Sequence, residues 1–206
     1  MLALLTSQNS PLRRLTRTVV FTPVVIGLGV SSLLWYWLFS TDFGLVNRAL
    51  LDLGIIDKPV LWLGVDADVS NLAITTSVVW MVIGFGIILF VGAIQAIPTD
   101  VTEAAQVDGA SYRQRVLRVI LPLTMRTVLL VTLVSVIGSL LAFDQFYILT
   151  KGAPSNTTVT LVQLIYREAF QRQNLGTAAA ISVIVLAVLL LLNAIQFRGL
   201  RVGRAS

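Results

Sequence analysis

The chain is expected to fold as an all-α, polytopic transmembrane helical bundle, and three observations lead there. Of its 206 residues, 56% are hydrophobic and only 12% charged, with a mean hydropathy of +0.88, a balance foreign to soluble domains. Four apolar blocks reach the roughly 20 residues that a helix needs to cross a bilayer. None of them alternates polar with apolar residues over the short length of a barrel strand, so the spans are helices.

The first block, Thr18 to Thr41, and the second, Val69 to Thr99, carry no charge. The third, Val119 to Phe143, holds only Arg126, near one end, where a long side chain can snorkel to the interface. The fourth, Gln173 to Phe197, is again uncharged. Basic residues then set the orientation. With the N-terminus inside, the inner segments hold Arg13, Arg14, Arg17, Arg113, Arg115, Arg118, Arg126, Arg198, Arg201 and Arg204. The outer ones hold Arg48, Lys58, Lys151, Arg167 and Arg172, and the outer loop 40–70 adds five aspartates. Both termini and the loop 98–122 are therefore expected on the cytoplasmic side. Met1 to Arg17 does not read as a signal peptide, because its charges follow the short apolar stretch instead of preceding it.

Composition also removes function classes. There is no Cys and no His, which excludes disulfide frameworks, thiol nucleophiles and His-ligated metals, and no catalytic or metal-binding residue is assigned. The basic excess records membrane orientation, not nucleic-acid binding. No Gly-x-x-x-x-Gly-Lys-Ser/Thr loop is present, and glycines such as Gly84 and Gly86 sit inside apolar runs as helix-packing positions. The spans hold no ionisable cluster for a membrane enzyme. They also lack the mid-membrane charges on which a secondary transporter or channel, the alternative reading, usually depends.

The loop between the second and third blocks, "TDVTEAAQVDGASYRQRVLRVILP" (99–122), is the most informative stretch. Pro98 ends the preceding helix, and Asp100 with Glu103 has the spacing of a capping box. The helix so begun should end at Gly109. Ser111 with Gln114 repeats the box and starts a second helix, and Leu121-Pro122 marks the entry to the next span. Two short helices joined at Ala110's neighbourhood give a hairpin with a small-residue surface.

Glu103-Ala104-Ala105, three residues, Gly109, nine residues, then Val119-Ile120-Leu121-Pro122 resembles the EAA loop of binding-protein-dependent ABC importer permeases, with valine where isoleucine is usual. "GLVNRALLDLG" (44–54), "LWLG" (61–64), "GAIQAIPTDVTEAAQVDGAS" (92–111), "FDQFYILTKGAPSNTTV" (143–159) and "LVQLIYREAF" (161–170) resemble the carbohydrate-uptake branch, of maltose and glycerol-3-phosphate type. Gly152-Ala153-Pro154 stands where that branch commonly has Gly-Gly-Pro. The resemblance covers nearly all of the chain as a single permease transmembrane domain, 1–206.

That resemblance implies about four spans of a usual six, with Met1 to Leu5 as the tail of an earlier one. It implies a multi-pass protein of the prokaryotic plasma (inner) membrane that binds no cofactor, ATP being bound by a partner. Its partners would be a second permease subunit, cytoplasmic ATPase subunits, an extracytoplasmic solute-binding protein, the lipid bilayer and a sugar-like solute. Glu103, Ala104, Ala105, Asp108, Gly109, Leu121 and Pro122 would form the ATPase-coupling element.

For the solute path, Ser77, Trp80, Met81 and Gly84 follow helical spacing in the second block, and Thr132, Ser135 and Ser139 do so in the third. Asp144, Gln145 and Tyr147 lie at the outer end of the third block. Sugars are held by aromatic stacking with hydrogen bonds, which these residues could supply. The competing reading makes the small polar residues helix glue, and the aromatics, like Trp35, Tyr36 and Trp37, an interfacial belt.

Overall fold

The computed structural model describes Thr22 and residues 25–202, with side chains through Arg198. Residues 18–21, 23 and 24 of the first apolar block, the expected span tail Met1 to Leu5, and Arg13, Arg14, Arg17 and Arg204 therefore lie outside the described residues, as does the side chain of Arg201. The described residues form helices joined by turns and loops: α1 (Leu28–Leu38), α2 (Leu45–Asp52), α3 (Ala67–Gln95), α4 (Thr99–Val107), α5 (Tyr112–Leu123), α6 (Met125–Leu140), α7 (Asp144–Leu149), α8 (Leu161–Tyr166) and α9 (Leu175–Val202). They fall into two compact units, one around residues 80–135, the other made of 26–79 and 136–202.

Among the described residues, two helices are long and apolar enough to cross a membrane, α3 and α9. At 1.5 Å per residue the 29 residues of α3 extend about 43 Å, more than a bilayer's hydrocarbon core. Asp66 starts α3, its carboxylate accepting from the backbone N–H groups of Asp68 (2.9 Å) and Val69 (3.0 Å). Asn174 does the same for α9 through Thr177 (3.1 Å).

The third predicted span is not one straight helix. α5 and α6 meet at 66° about Thr124, and they are long and apolar enough for a crossing only when taken together. Pro122 supplies the physical reason: it lacks an N–H and its ring crowds the carbonyl four residues back. The turn just before it widens, so that the N–H of Leu121 bonds to the carbonyl of Val116, five residues back. Thr124 is buried at the bend, its hydroxyl donating to the carbonyl of Ile120 (3.0 Å) or Leu121 (3.2 Å).

In the second unit, Phe39, Ala73, Ile74 and Leu149 form the core, with Trp35, Trp62 and Phe146 packed against it. Trp35 stacks on Phe39 at 5.2 Å between ring centroids, and Phe39 meets Trp62 at 5.5 Å. Trp35 therefore belongs to the core and not to an interfacial belt, whereas Tyr36 and Trp37 are exposed as a belt requires. α1 packs on α7, and α8 on α9. Asn47, buried on α2, ties down the loop that follows: its Oδ1 accepts from Val60 N–H (3.1 Å) and Trp62 Nε1 (2.8 Å). Its Nδ2 donates to the Val60 carbonyl at 3.0 Å. In the first unit, Ile87 and Val91 on α3 form a smaller core with Phe90 and Ile94.

Candidate functional site

The hairpin of α4 and α5 is the first candidate. α4 begins at Thr99, so Asp100 lies inside the first turn and not at the cap; Pro98 takes the cap position and no side-chain cap bond forms. The expected Asp100–Glu103 box is therefore absent. Asp100 still sits where the helix dipole favours a carboxylate. At the other end, α4 closes as expected at Gly109, whose φ is +75°. The N–H of Ala110 donates to the carbonyl of Ala105 (3.0 Å) and that of Gly109 to Gln106 (3.0 Å), the paired bonds of a Schellman turn.

Ser111 and Gln114 then form the second box in full. The serine hydroxyl accepts from the Gln114 N–H (3.4 Å), and the glutamine side chain accepts from the Ser111 N–H (2.8 Å). Two local devices, both made of bonds within residues 105–114, thus fix the turn. Glu103, Ala104, Asp108, Gly109, Leu121 and Pro122 are exposed and Ala105 is half-buried. Among the described residues, a Cβ at Gly109 would meet no atom beyond its chain neighbours within 4 Å, so there its left-handed backbone is what calls for glycine. Val101, Val107, Tyr112 and Leu117 are exposed on the same hairpin, Val107 to 88%.

The second set, the suggested path residues, divides between the two units. Trp80 and Ser135 are half-buried and Gly84 is buried in the first; Gly84 lies on the α3 segment that carries Ile87 and Val91. In the second unit Ser77 is fully buried, and its hydroxyl donates to the Ile74 carbonyl (2.7 Å), as helix-gluing serines do. Ser139 is exposed, Asp144 is half-buried in the first turn of α7, and Gln145 is buried. Met81 is half-buried, and Thr132 is exposed with its hydroxyl on the Val128 carbonyl (2.8 Å).

Tyr147 is part of an aromatic group that the sequence reading did not assemble. It stacks on Phe143 (5.0 Å) and meets Tyr166 edge-on (5.4 Å), while Phe170 adjoins Tyr166 (5.3 Å). A side-chain hydrogen bond with Tyr147, followed by that group's charge and by burial, holds the Tyr166 phenol above its usual range. The available signal was the four-residue spacing of Phe143 with Tyr147 and of Tyr166 with Phe170.

Long apolar helices, a bent helix pair and a self-capped, exposed hairpin define a helical membrane protein. Residues 1–198 match the family described as "Binding-protein-dependent transport system inner membrane component", and the chain belongs to that family. It is 34% identical over 199 residues to the lactose transport system permease protein of Rhizobium radiobacter, covering 94% of this chain and 66% of that protein. It is 32% identical to the sn-glycerol-3-phosphate transport system permease protein of Agrobacterium fabrum, covering 88% of this chain and 61% of the relative. A crystal structure of a bacterial alginate ABC transporter, in complex with its alginate pentasaccharide-bound periplasmic protein, contains a chain that superposes with a TM-score of 0.82. That chain is 26% identical, and the match covers 95% of this protein and 68% of it. This chain thus spans less than two thirds of the length of the curated relatives named above.

Proposed function

We propose that the chain is a membrane-spanning subunit of an ATP-driven importer, forming part of the path for a sugar or related polar solute. The observation that carries this reading is the α4–α5 hairpin. It is fixed from within by the Gly109 turn and the Ser111–Gln114 box, and it leaves Glu103, Ala104 and Val107 uncovered. A preorganised exposed element loses little entropy on docking, which suits it to transmit force from another subunit. Glu103 would face a basic group on a cytoplasmic ATPase, while Ala104, Ala105 and Gly109 would let the partner's backbone approach closely.

In this mechanism ATP-driven closure of the ATPase subunits moves the hairpin, and the bend at Thr124 passes that motion into α6. Access to the solute path then alternates between the two sides of the membrane. A second permease subunit completes the path, and an extracytoplasmic binding protein delivers the solute. The family description and the lactose and glycerol-3-phosphate relatives support a small sugar-like cargo. With the hairpin inside, the orientation is the one favoured by the basic residues.

The test is purification of the tagged full-length protein from its native membrane, followed by reconstitution. Recovery of an ATPase subunit, with ATP turnover stimulated by a co-recovered solute-binding protein, is the expected result. A pure complex without an ATPase, or solute flux driven by an ion gradient, would overturn the reading in favour of a secondary transporter or channel.

A further inference from the structure

The loop from Lys151 to Val159 connects α7 to α8, one crossing further along the chain than the hairpin. Four of its residues have left-handed backbones: Lys151 (φ 53°), Gly152 (φ 96°), Ser155 (φ 50°) and Asn156 (φ 65°). Such a segment holds one shape only when its surroundings fix it. Inside the loop, the hydroxyls of Thr150 and Thr158 lie 2.7 Å apart and buried, and Thr158 also reaches the Ala153 carbonyl (3.1 Å).

A longer-range tie comes from the π-helical turn Arg167–Gln171 that continues α8. Arg167 spreads its guanidinium across the loop, Nη2 donating to the Lys151 carbonyl (2.6 Å) and Nη1 to Asn156 Oδ1 (2.7 Å). One fork therefore joins the first residue of the loop to its tip, a geometry that a lysine point charge cannot reproduce. Gly152 lies directly beneath. A Cβ there would come within 2.5 Å of Arg167 Nη2 and 2.8 Å of Val159 Cγ2, so the brace needs glycine for room as well as for its positive φ. Meanwhile Lys151, Ser155, Asn156 and Thr157 remain exposed, so the braced segment offers a rigid polar tip to the outside.

We propose that Arg167 is a positioning residue that holds the 151–159 loop as a preformed contact surface for the extracytoplasmic solute-binding protein. This rests on the importer reading above, which puts the loop on the outer face. A soluble protein that must dock and leave in every cycle is suited by a polar, prearranged surface, because no loop ordering is then charged to each encounter. A lipid-facing role does not fit a tip made of Ser155, Asn156 and Thr157.

The chain has no native cysteine, so Ser155→Cys in the full-length protein, assembled in nanodiscs, carries a single spin label. The label is expected to be ordered in the otherwise native chain and markedly more mobile with Arg167→Met or with Gly152→Ala, whose added Cβ crowds the guanidinium while Arg167 itself is retained. ATP turnover is then titrated with the binding protein recovered by the purification described above. Both variants should raise the KM for that protein about tenfold, the scale of one lost charge-assisted fork, with the maximal rate within about twofold. Arg167→Lys should fall between.

A label equally ordered in all variants overturns the brace by itself, whatever the partner. Stimulation with an unchanged KM overturns the docking role, and a loss confined to the maximal rate reduces Arg167 to a structural part. Failure of any binding protein to stimulate the native complex removes the importer reading instead, and the docking role falls with it.

Discussion

Ser111 and Gln114 cap each other, hydroxyl to backbone N–H and side-chain carbonyl to backbone N–H, at the turn where the exposed hairpin reverses. Ser111→Ala removes one half of that exchange and leaves the Gln114 N–H to water. The expected cost is about 1 kcal/mol, or roughly fivefold faster local opening. Hydrogen exchange at residues 111–115 measures it; exchange unchanged from the native protein would mean that the box contributes nothing to the turn.

Asn47 is the corresponding fixed point in the second unit. Asn47→Ala strips partners from the Trp62 indole, from both backbone groups of Val60 and from the Thr41 carbonyl at once. With several part-buried polar groups left unpaired, about 3 kcal/mol of stability should be lost. A clear drop in the melting temperature of the purified protein in detergent is the expected reading. Asn47→Ala melting with the native protein would show that water replaces the amide freely.

The hairpin and the buried Asn47 were not equally visible in the sequence. Gly109, Ser111 and Gln114 act through bonds spanning a few residues, so spacing alone located them. Asp100 misled because its spacing to Glu103 fits a box, while Pro98 moved the helix start one residue ahead of it. Pro122 was read as a permitted entry residue; its wider consequence, the 66° bend at Thr124, depends on hydrogen bonds that spacing does not reveal. Asn47 meets Val60 and Trp62 across 13 and 15 residues, and Arg167 meets Lys151 across 16. Such contacts arise from the path of the chain between helices, which no local pattern encodes. Trp35 illustrates the same limit: beside Tyr36 and Trp37 it read as an interfacial residue, yet only its helix face turns to Phe39.

Trp80 and Asp144 test the suggested solute path. Both are half-buried, so truncation should not collapse a core. Trp80→Ala and Asp144→Ala are expected to weaken uptake while assembly and basal ATP turnover stay near native. Ser77→Ala serves as the contrast: its hydroxyl is already spent on the Ile74 carbonyl, and uptake should hardly change. Normal uptake in both Trp80→Ala and Asp144→Ala would return these residues to a packing role.

The strongest test of the importer reading falls on the hairpin. Glu103→Lys keeps a good helix former in α4 but reverses the charge offered to an ATPase and puts a cation near the helix N-terminus. Gly109→Leu acts differently. Among the described residues nothing occupies the space beside Gly109; the side chain strains a backbone at φ +75° and fills the face where a partner would seat. Even a full propensity penalty in an exposed helix is only about 1 kcal/mol, too little to unfold the spans. Both variants should therefore insert normally, lose the co-purifying ATPase or its stimulated turnover, and abolish uptake. Arg118→Gln, exposed but lying in α5 beyond the turn, should have a much smaller effect. The measurement is ATPase recovery together with ATP turnover in the presence of the loaded binding protein. Native values in both Glu103→Lys and Gly109→Leu would show that force enters this subunit somewhere other than the hairpin.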